Sequence, residues 1–194
     1  FLGKPPFMPP ERVPIIYSGV DTHHFHPDVD SQRVRDDAHI PPKAPIVAMI
    51  ARFQPVKGHH IFQQMAQQVV LQAPKAHFIV AGEETFGVSK DQTYKMQILH
   101  TAKNDPLLAD SLRYIGFRND VEHVMSAADV VVCASEFESY GKAIVEAMAT
   151  GKPVVSTKRG GPSETIIHGE TGYLVEPDDA ASLAMHVINL LRDP

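Results

Sequence analysis

The sequence predicts a doubly wound, Rossmann-like α/β domain: a parallel sheet of about six strands with helices on both faces. Three observations carry this. From Ile46 onward short apolar runs alternate with longer stretches of helical character, Gly or Pro stands at most junctions, and the strand candidates are apolar almost throughout rather than at every second residue. A strand apolar on both sides belongs to a sheet covered on both faces, and successive parallel strands need crossover helices.

The first 45 residues form a proline-rich leading segment and residues 46–194 the domain proper. Pro5, Pro6, Pro9, Pro10, Pro14, Pro27, Pro41, Pro42 and Pro45 each fix φ and remove a backbone donor, so regular structure is sparse there. One short strand near Val13 to Tyr17 is expected, followed by a polar loop from Asp21 to Pro27. Strands are then expected near Ile46 to Ile50, His77 to Ala81, Leu112 to Ile115, Val130 to Cys133, Val154 to Ser156 and Gly172 to Val175. Helices fall between and after them: His59 to Gln72, Asp91 to Lys103, Asp120 to Ala127, Gly141 to Thr150, Pro162 to His168 and Asp179 to Leu191. In such sheets ligands bind outside the carboxyl ends of the strands, where strand order reverses.

Composition excludes several classes of function. With 194 residues, 43% hydrophobic and 21% charged, the chain is long enough for one sizeable core and far from the disordered corner. The formal charge of −5 and the lack of a Lys/Arg run argue against nucleic acid as a partner. No apolar run approaches the roughly 18 residues of a membrane span. A single cysteine, Cys133, makes no internal disulfide and no cysteine-based metal site; it fits a reducing, cytoplasmic setting and a buried, inert thiol. The first residues, FLGKPPFMPP, are no signal peptide, and a start without Met suggests a fragment.

The most unusual segment is SEFESYGKAIVEAMATGKPVV, residues 135–155. Its helix is apolar almost all round, which predicts burial, yet Glu146 sits in its second turn. A carboxylate there needs a polar partner. One partner is Lys142, four residues earlier; the other is a ligand diol, to which a carboxylate makes two hydrogen bonds. Glu138 lies in the loop before the helix, and Gly141 permits close approach to a helix start whose free N–H groups suit phosphate. The second constellation, ARFQPVKG at residues 51–58, follows the first core strand. Arg52 and Lys57 there are either solvated loop cations or a clamp for a diphosphate leaving group.

Other polar residues read more plainly. His23, His24 and His26 lie in a proline-bounded loop without metal-ligand spacing, and His59 and His60 are expected as exposed residues at a helix start. Gly160 and Gly161 precede Pro162 in a turn whose N–H groups either support the next helix or face the cleft.

Taken together, Arg52 and Lys57 in RFQPVKG with Glu138 and Glu146, seven residues between the two glutamates, resemble the nucleotide-sugar-binding half of family 4 retaining glycosyltransferases of the GT-B fold. YSGVD at 17–21, AGEE at 81–84, IGFRNDV at 115–121, SAADVVVCASEFESYG at 126–141, GKPVVSTKRGGPSETI at 151–166 and TGYLVEPDDAASLA at 171–184 agree in order and spacing. The resemblance runs from about residue 13 to the end.

It implies that Arg52 and Lys57 hold the diphosphate, Glu138 bonds the donor sugar and Glu146 the ribose. Tyr140, Gly141, Lys142 and Ala143 would face sugar and phosphate, with Phe117, Arg118 and Val121 beside the nucleobase. Arg52, Lys57 and Glu138 would support the transition state. The donor would be a UDP-, GDP- or ADP-sugar, transferred with retention and with no metal or other cofactor. An N-terminal domain would hold a sugar, polysaccharide or lipid-linked acceptor and carry any peripheral attachment to the inner face of a membrane. The isolated half would bind donor far better than it transfers sugar, and the chain ends before the closing helices of a complete enzyme.

Three departures stand out: Ser18 where Asn is common, Tyr140 where Phe is common, and the polar Lys142. Two other functional classes share the frame, an epimerase-like nucleotide-sugar enzyme and a non-catalytic binding domain. The presence of all four charged residues argues against the second, and no feature marks a phosphorylase lysine for a pyridoxal cofactor.

Overall fold

The computed structural model describes residues 16–193. Six strands form one parallel sheet in the order β3-β2-β1-β4-β5-β6: β1 (Ile46–Ile50), β2 (His77–Ala81), β3 (Leu112–Gly116), β4 (Val130–Cys133), β5 (Val154–Thr157) and β6 (Tyr173–Val175). The chain first winds outward through β1, β2 and β3, then returns to the other side of β1 with β4. The reversal leaves a crevice between the carboxyl ends of β1 and β4, the topological switch point of a doubly wound sheet.

Side-chain alternation along β1 shows why its residues are all apolar. Val47 and Met49 join one core with Ile61, Phe62 and Met65 of α2 (His59–Gln72), Ile98 and Ala102 of α3 (Ser89–Asn104), and Leu183 and Val187 of α7 (Ala180–Arg192). Ile46 and Ala48 point the other way. They meet Val34 of α1 (Gln32–Asp37), Val124 and Met125 of α4 (Val121–Ala127), and Ile144 and Ala147 of α5 (Lys142–Ala149). Each strand thus feeds two cores, as a strand must between two helical layers.

The bounds of β1, β2, β4 and α2 are those read from the sequence, and the other expected strands and most helices shift by one or two residues. Two elements differ more. The expected helix from Pro162 to His168 is only α6 (Pro162–Thr165), because Ile166 turns to an extended backbone with φ −100° and ψ 124°. Short α1 was not anticipated; among its residues only Val34 is buried, so it offers no apolar period to read. The expected strand at 13–17 begins outside the described residues, and Ile16 and Tyr17 are irregular and exposed. The leading segment nonetheless packs: Phe25, Ala38, Ile40 and Ala44 are buried in the second core.

Helix α7 shows how a polar residue fixes an end. Asp179 is its N-cap, accepting from the Ser182 N–H at 2.9 Å and the Ser182 hydroxyl at 2.6 Å, which holds its carboxyl below the usual range. Asp179→Ala is expected to destabilise the fold by about 1 kcal/mol, read from the urea midpoint.

Candidate functional site

Two loops at the switch point build the site, and each is shaped by a glycine. After β1 the chain runs through Arg52 and Phe53 into a 3-10 turn (Pro55–Lys57) that Gly58 closes at φ 70°. A Cβ on Gly58 would overlap the Ala134 carbonyl oxygen at the end of β4, so only glycine lets the two loops meet. Their backbones are joined there by the Glu136 N–H donating to the Val56 carbonyl at 2.8 Å. After β4, Gly141 at φ 84° starts α5, and a Cβ there would lie 2.8 Å from Ile144 Cδ1.

These loops enclose a cavity of about 830 Å³, large enough for a nucleoside diphosphate and a sugar. Arg52, Lys57, Glu138, Tyr140, Gly141, Lys142, Ala143 and Glu146 all line it. Lys57 Nζ donates to Glu138 Oε2 at 2.5 Å, and the Ser135 hydroxyl donates to the same oxygen at 3.3 Å. The loop holding Glu138 is fixed from behind: its N–H donates to the Arg159 carbonyl at 3.2 Å and its carbonyl accepts from Gly161 N–H at 2.9 Å. The Gly161 N–H is therefore spent within the scaffold, although the residue itself reaches the cavity wall.

Helix α5 is buried only through Ile144 and Ala147, which corrects the expectation of a helix covered all round; its other side borders the cavity. Glu146 lies on that side, half-buried. Among the described residues its carboxylate forms neither an ion pair with Lys142 nor another hydrogen bond; Lys142 is exposed instead. Burial pushes the Glu146 carboxyl up, opposed by the positive charge of Lys142 and His24. A half-desolvated acceptor that faces a cavity and keeps its lone pairs is suited to a ligand hydroxyl. At the start of α5 the first N–H groups lack intrahelical acceptors and border the same space.

Phe117, Arg118 and Val121 line a second hollow of about 400 Å³, which shares Ile50, Ala51 and Arg52 with the first. Arg118 does not point a free guanidinium into it. Its Nε and Nη2 donate to Asp120 at 2.8 and 2.7 Å and its Nη1 to Asp37 at 3.1 Å, which holds the guanidinium further up.

Four lining residues escaped the sequence reading. Ile16 and Tyr17 run across the mouth of the main cavity, where the Tyr17 hydroxyl donates to Glu164 Oε2 at 2.7 Å and the Tyr140 hydroxyl to the Ser18 carbonyl. Glu164 and Thr165 come from α6. Tyr17 falls in the YSGVD segment and Glu164 and Thr165 in GKPVVSTKRGGPSETI, but those segments attach no binding role to the three residues individually. Cys133 lines the cavity and is only partly buried, which corrects the expectation of a buried thiol; desolvation nonetheless pushes its thiol up.

Of the paired histidines, His60 is exposed but His59 is 1% exposed, contrary to expectation. It stacks on Phe53 at 4.3 Å between ring centroids, with Tyr94 edge-on at 5.9 Å. His23 and His24 are exposed as expected, although His24 Nε2 sits 3.1 Å from Glu122. Among the described residues no group of three His, Cys, Asp or Glu side chains is placed to hold a metal ion, and no helix is long and apolar enough to cross a membrane.

Known proteins resemble this chain in sequence and in fold. The chain is 28% identical over 187 residues to D-inositol 3-phosphate glycosyltransferase 2 of Catenulispora acidiphila, covering 95% of this chain and 44% of that protein. It is 30% identical over 168 residues to spore coat protein SA of Bacillus subtilis, covering 82% and 44%. The chain thus spans less than half the length of these relatives. Among solved structures, Anabaena HepE in complex with UDP and glucose superposes with a TM-score of 0.80 at 31% identity, over 92% of this chain and 46% of HepE. The C-terminal domain of a group 1 glycosyl transferase, LpcC of Francisella tularensis, superposes at 0.79 with 32% identity and matches over 90% of this chain and 89% of that one. Residues 30–194 fit the family model of glycosyl transferases group 1, and with the superposition on the C-terminal domain of LpcC this gives the sheet its family: the chain belongs to the group 1 glycosyl transferases, with the fold of the C-terminal half of a GT-B protein.

Proposed function

We propose that this chain is the donor-binding half of a retaining glycosyltransferase, which binds a nucleoside diphosphate sugar and supports its transfer to an acceptor. The observation that carries the reading is that Arg52, Lys57, Glu138 and Glu146 line one cavity at the switch point. Arg52 and Lys57 hold the diphosphate, and with the N–H groups at the start of α5 they neutralise the charge it gains as it departs, without a metal. Glu138 orients the sugar, and Glu146 accepts hydrogen bonds from the ribose hydroxyls.

In the ligand-free chain Lys57 and Glu138 satisfy each other. Diphosphate draws on Lys57 and sugar hydroxyls on Glu138, so the pair holds the geometry of both subsites before either is filled. The acceptor, a sugar, polysaccharide or lipid-linked sugar, is held by another domain of a longer cytoplasmic protein, so transfer by this half alone is negligible. The HepE complex with UDP and glucose supports a nucleotide-sugar donor here by similarity.

Calorimetric titration of the chain with UDP, GDP and ADP, each with and without Mg²⁺, tests this. One diphosphate is expected to bind independently of metal. Glu146→Gln should weaken it by about 1–3 kcal/mol, the scale of hydrogen bonds to a charged group. Unchanged affinity in that variant would remove Glu146 from the ribose site.

A further inference from the structure

The hollow beside the proposed diphosphate site contains Phe117, Arg118 and Val121, which the family resemblance sets beside the nucleobase, and a further ring, Phe86, to which that resemblance gives no role. The loop after β2, residues 82–88, contributes Glu83, Glu84, Thr85 and Phe86 to its lining, beside Phe117 from the loop after β3 and Val121 at the start of α4. Phe86 is 100% exposed and Phe117 69% exposed. A wholly solvated phenylalanine such as Phe86 gains nothing from folding, and with the largely exposed Phe117 it borders one hollow that shares Ile50, Ala51 and Arg52 with the main cavity.

The loop that presents Phe86 is anchored. Gln54, from the turn between Arg52 and Lys57, donates from Nε2 to the Thr85 hydroxyl at 3.2 Å and to Asp91 Oδ2 at 3.3 Å. Lys95 donates to Glu84 Oε2 at 2.6 Å and pairs with Glu83. Thr85 and Val88 close a turn, with the Val88 N–H donating to the Thr85 carbonyl at 3.1 Å and Gly87 at φ 78°. Three tethers thus hold the stem of the turn while its tip carries an uncovered ring. Through Gln54 the stem is also tied to the loop that bears Arg52 and Lys57.

We propose that Phe86 is a nucleobase-stacking residue: the anchored turn Thr85–Val88 holds its ring at the lip of the second hollow, where it covers one face of the donor's base. The inference rests on the donor-site reading and adds to it a binding residue and the group it contacts. Its ligand is planar and aromatic, because a ring without a hydrogen-bonding group of its own recognises a flat π-face. The hollow adjoins the diphosphate loop through Arg52, so a base reaches it while its diphosphate stays on Arg52 and Lys57. Stacking is tolerant of base identity, so Phe86 supplies affinity rather than the choice among uracil, guanine and adenine.

The test uses two substitutions at this exposed position and two classes of probe, the nucleoside diphosphates UDP, GDP and ADP, and inorganic pyrophosphate. Phe86→Ala is expected to weaken the preferred nucleoside diphosphate by roughly tenfold to a hundredfold, and to change pyrophosphate affinity by less than about twofold. The chain contains no tryptophan, so Phe86→Trp places a single indole at the lip. Its fluorescence should be quenched by the nucleoside diphosphate and not by pyrophosphate. Nucleotide affinity undiminished in Phe86→Ala, or an unquenched indole at saturation, overturns the stacking role while the donor site stands. If the unsubstituted chain binds neither class of probe, the donor-site reading falls and the stacking role with it.

Discussion

In a full-length enzyme carrying this half, Arg52→Ala is expected to slow sugar transfer by about 100- to 1,000-fold, the effect of removing one preorganised donor from a site of developing negative charge. Arg52 lies at the wall shared by both hollows, exposed, and among the described residues no carboxylate holds it. Its fork is therefore available to phosphate oxygens without first breaking a pair. Lys57 differs, because its ammonium is already committed to Glu138. Lys57→Ala removes the phosphate contact proposed for it and also leaves Glu138 without its cation, so it should impair both diphosphate and sugar recognition. Arg52→Ala should leave the Glu138 subsite in place. Arg52→Lys restores charge without the two-pronged geometry and should recover only part of the loss. Steady-state kinetics, with diphosphate titration of the same variants, check this. A loss below about tenfold for Arg52→Ala would mean that Lys57 and the start of α5 carry the leaving group without it.

What the sequence revealed of this site follows from how each residue arrives there. Arg52, Lys57, Glu138 and Glu146 lie in segments directly after β1 and β4, so reading two strands was enough to put them at one end of the sheet. Tyr17 and Glu164 meet across 147 residues of chain, and no local pattern announces such a contact. Phe86 carries no local signal in the sequence; its turn is held by Gln54 and Lys95, which lie on other elements. The same limit shaped the elements. β1, β2 and α2 announce their ends by a change of pattern. Ile166 and Ile167, by contrast, resemble the continuation of a helix that the backbone has already left.

His59 was misread because its polar neighbours, Gly58 and His60, suggest a solvated helix start, and its burial sets the second large expectation. Its imidazole is packed between Phe53 and Tyr94, and among the described residues neither ring nitrogen has a hydrogen-bond partner. Burial lowers its pKa from 6.5 to about 4, helped by the nearby charges of His60 and Lys57; the Ala51 backbone opposes this without forming a well-shaped hydrogen bond. The folded state thus keeps His59 neutral where the unfolded chain protonates it. Below the unfolded pKa of 6.5 the unfolded state binds the extra proton, so stability falls as pH drops, until the folded form also protonates near 4. Over that window His59 should remove about 3 kcal/mol of stability, on the order of a quarter to a half of what a domain of this kind possesses. The loss bears on the site as well, since Phe53, the ring His59 stacks on, immediately follows Arg52. His59→Phe keeps an aromatic stack and has no proton to bind. Urea unfolding from pH 7 to pH 4 should therefore show a steep fall in midpoint for the unsubstituted chain and a shallower one for the variant. His59→Gln, smaller and uncharged, gives the same comparison if the larger ring does not fit. Parallel pH profiles in the unsubstituted chain and both variants would place the acid sensitivity elsewhere, and His59 would then be a neutral filler of the core beneath the loop of Arg52 and Lys57.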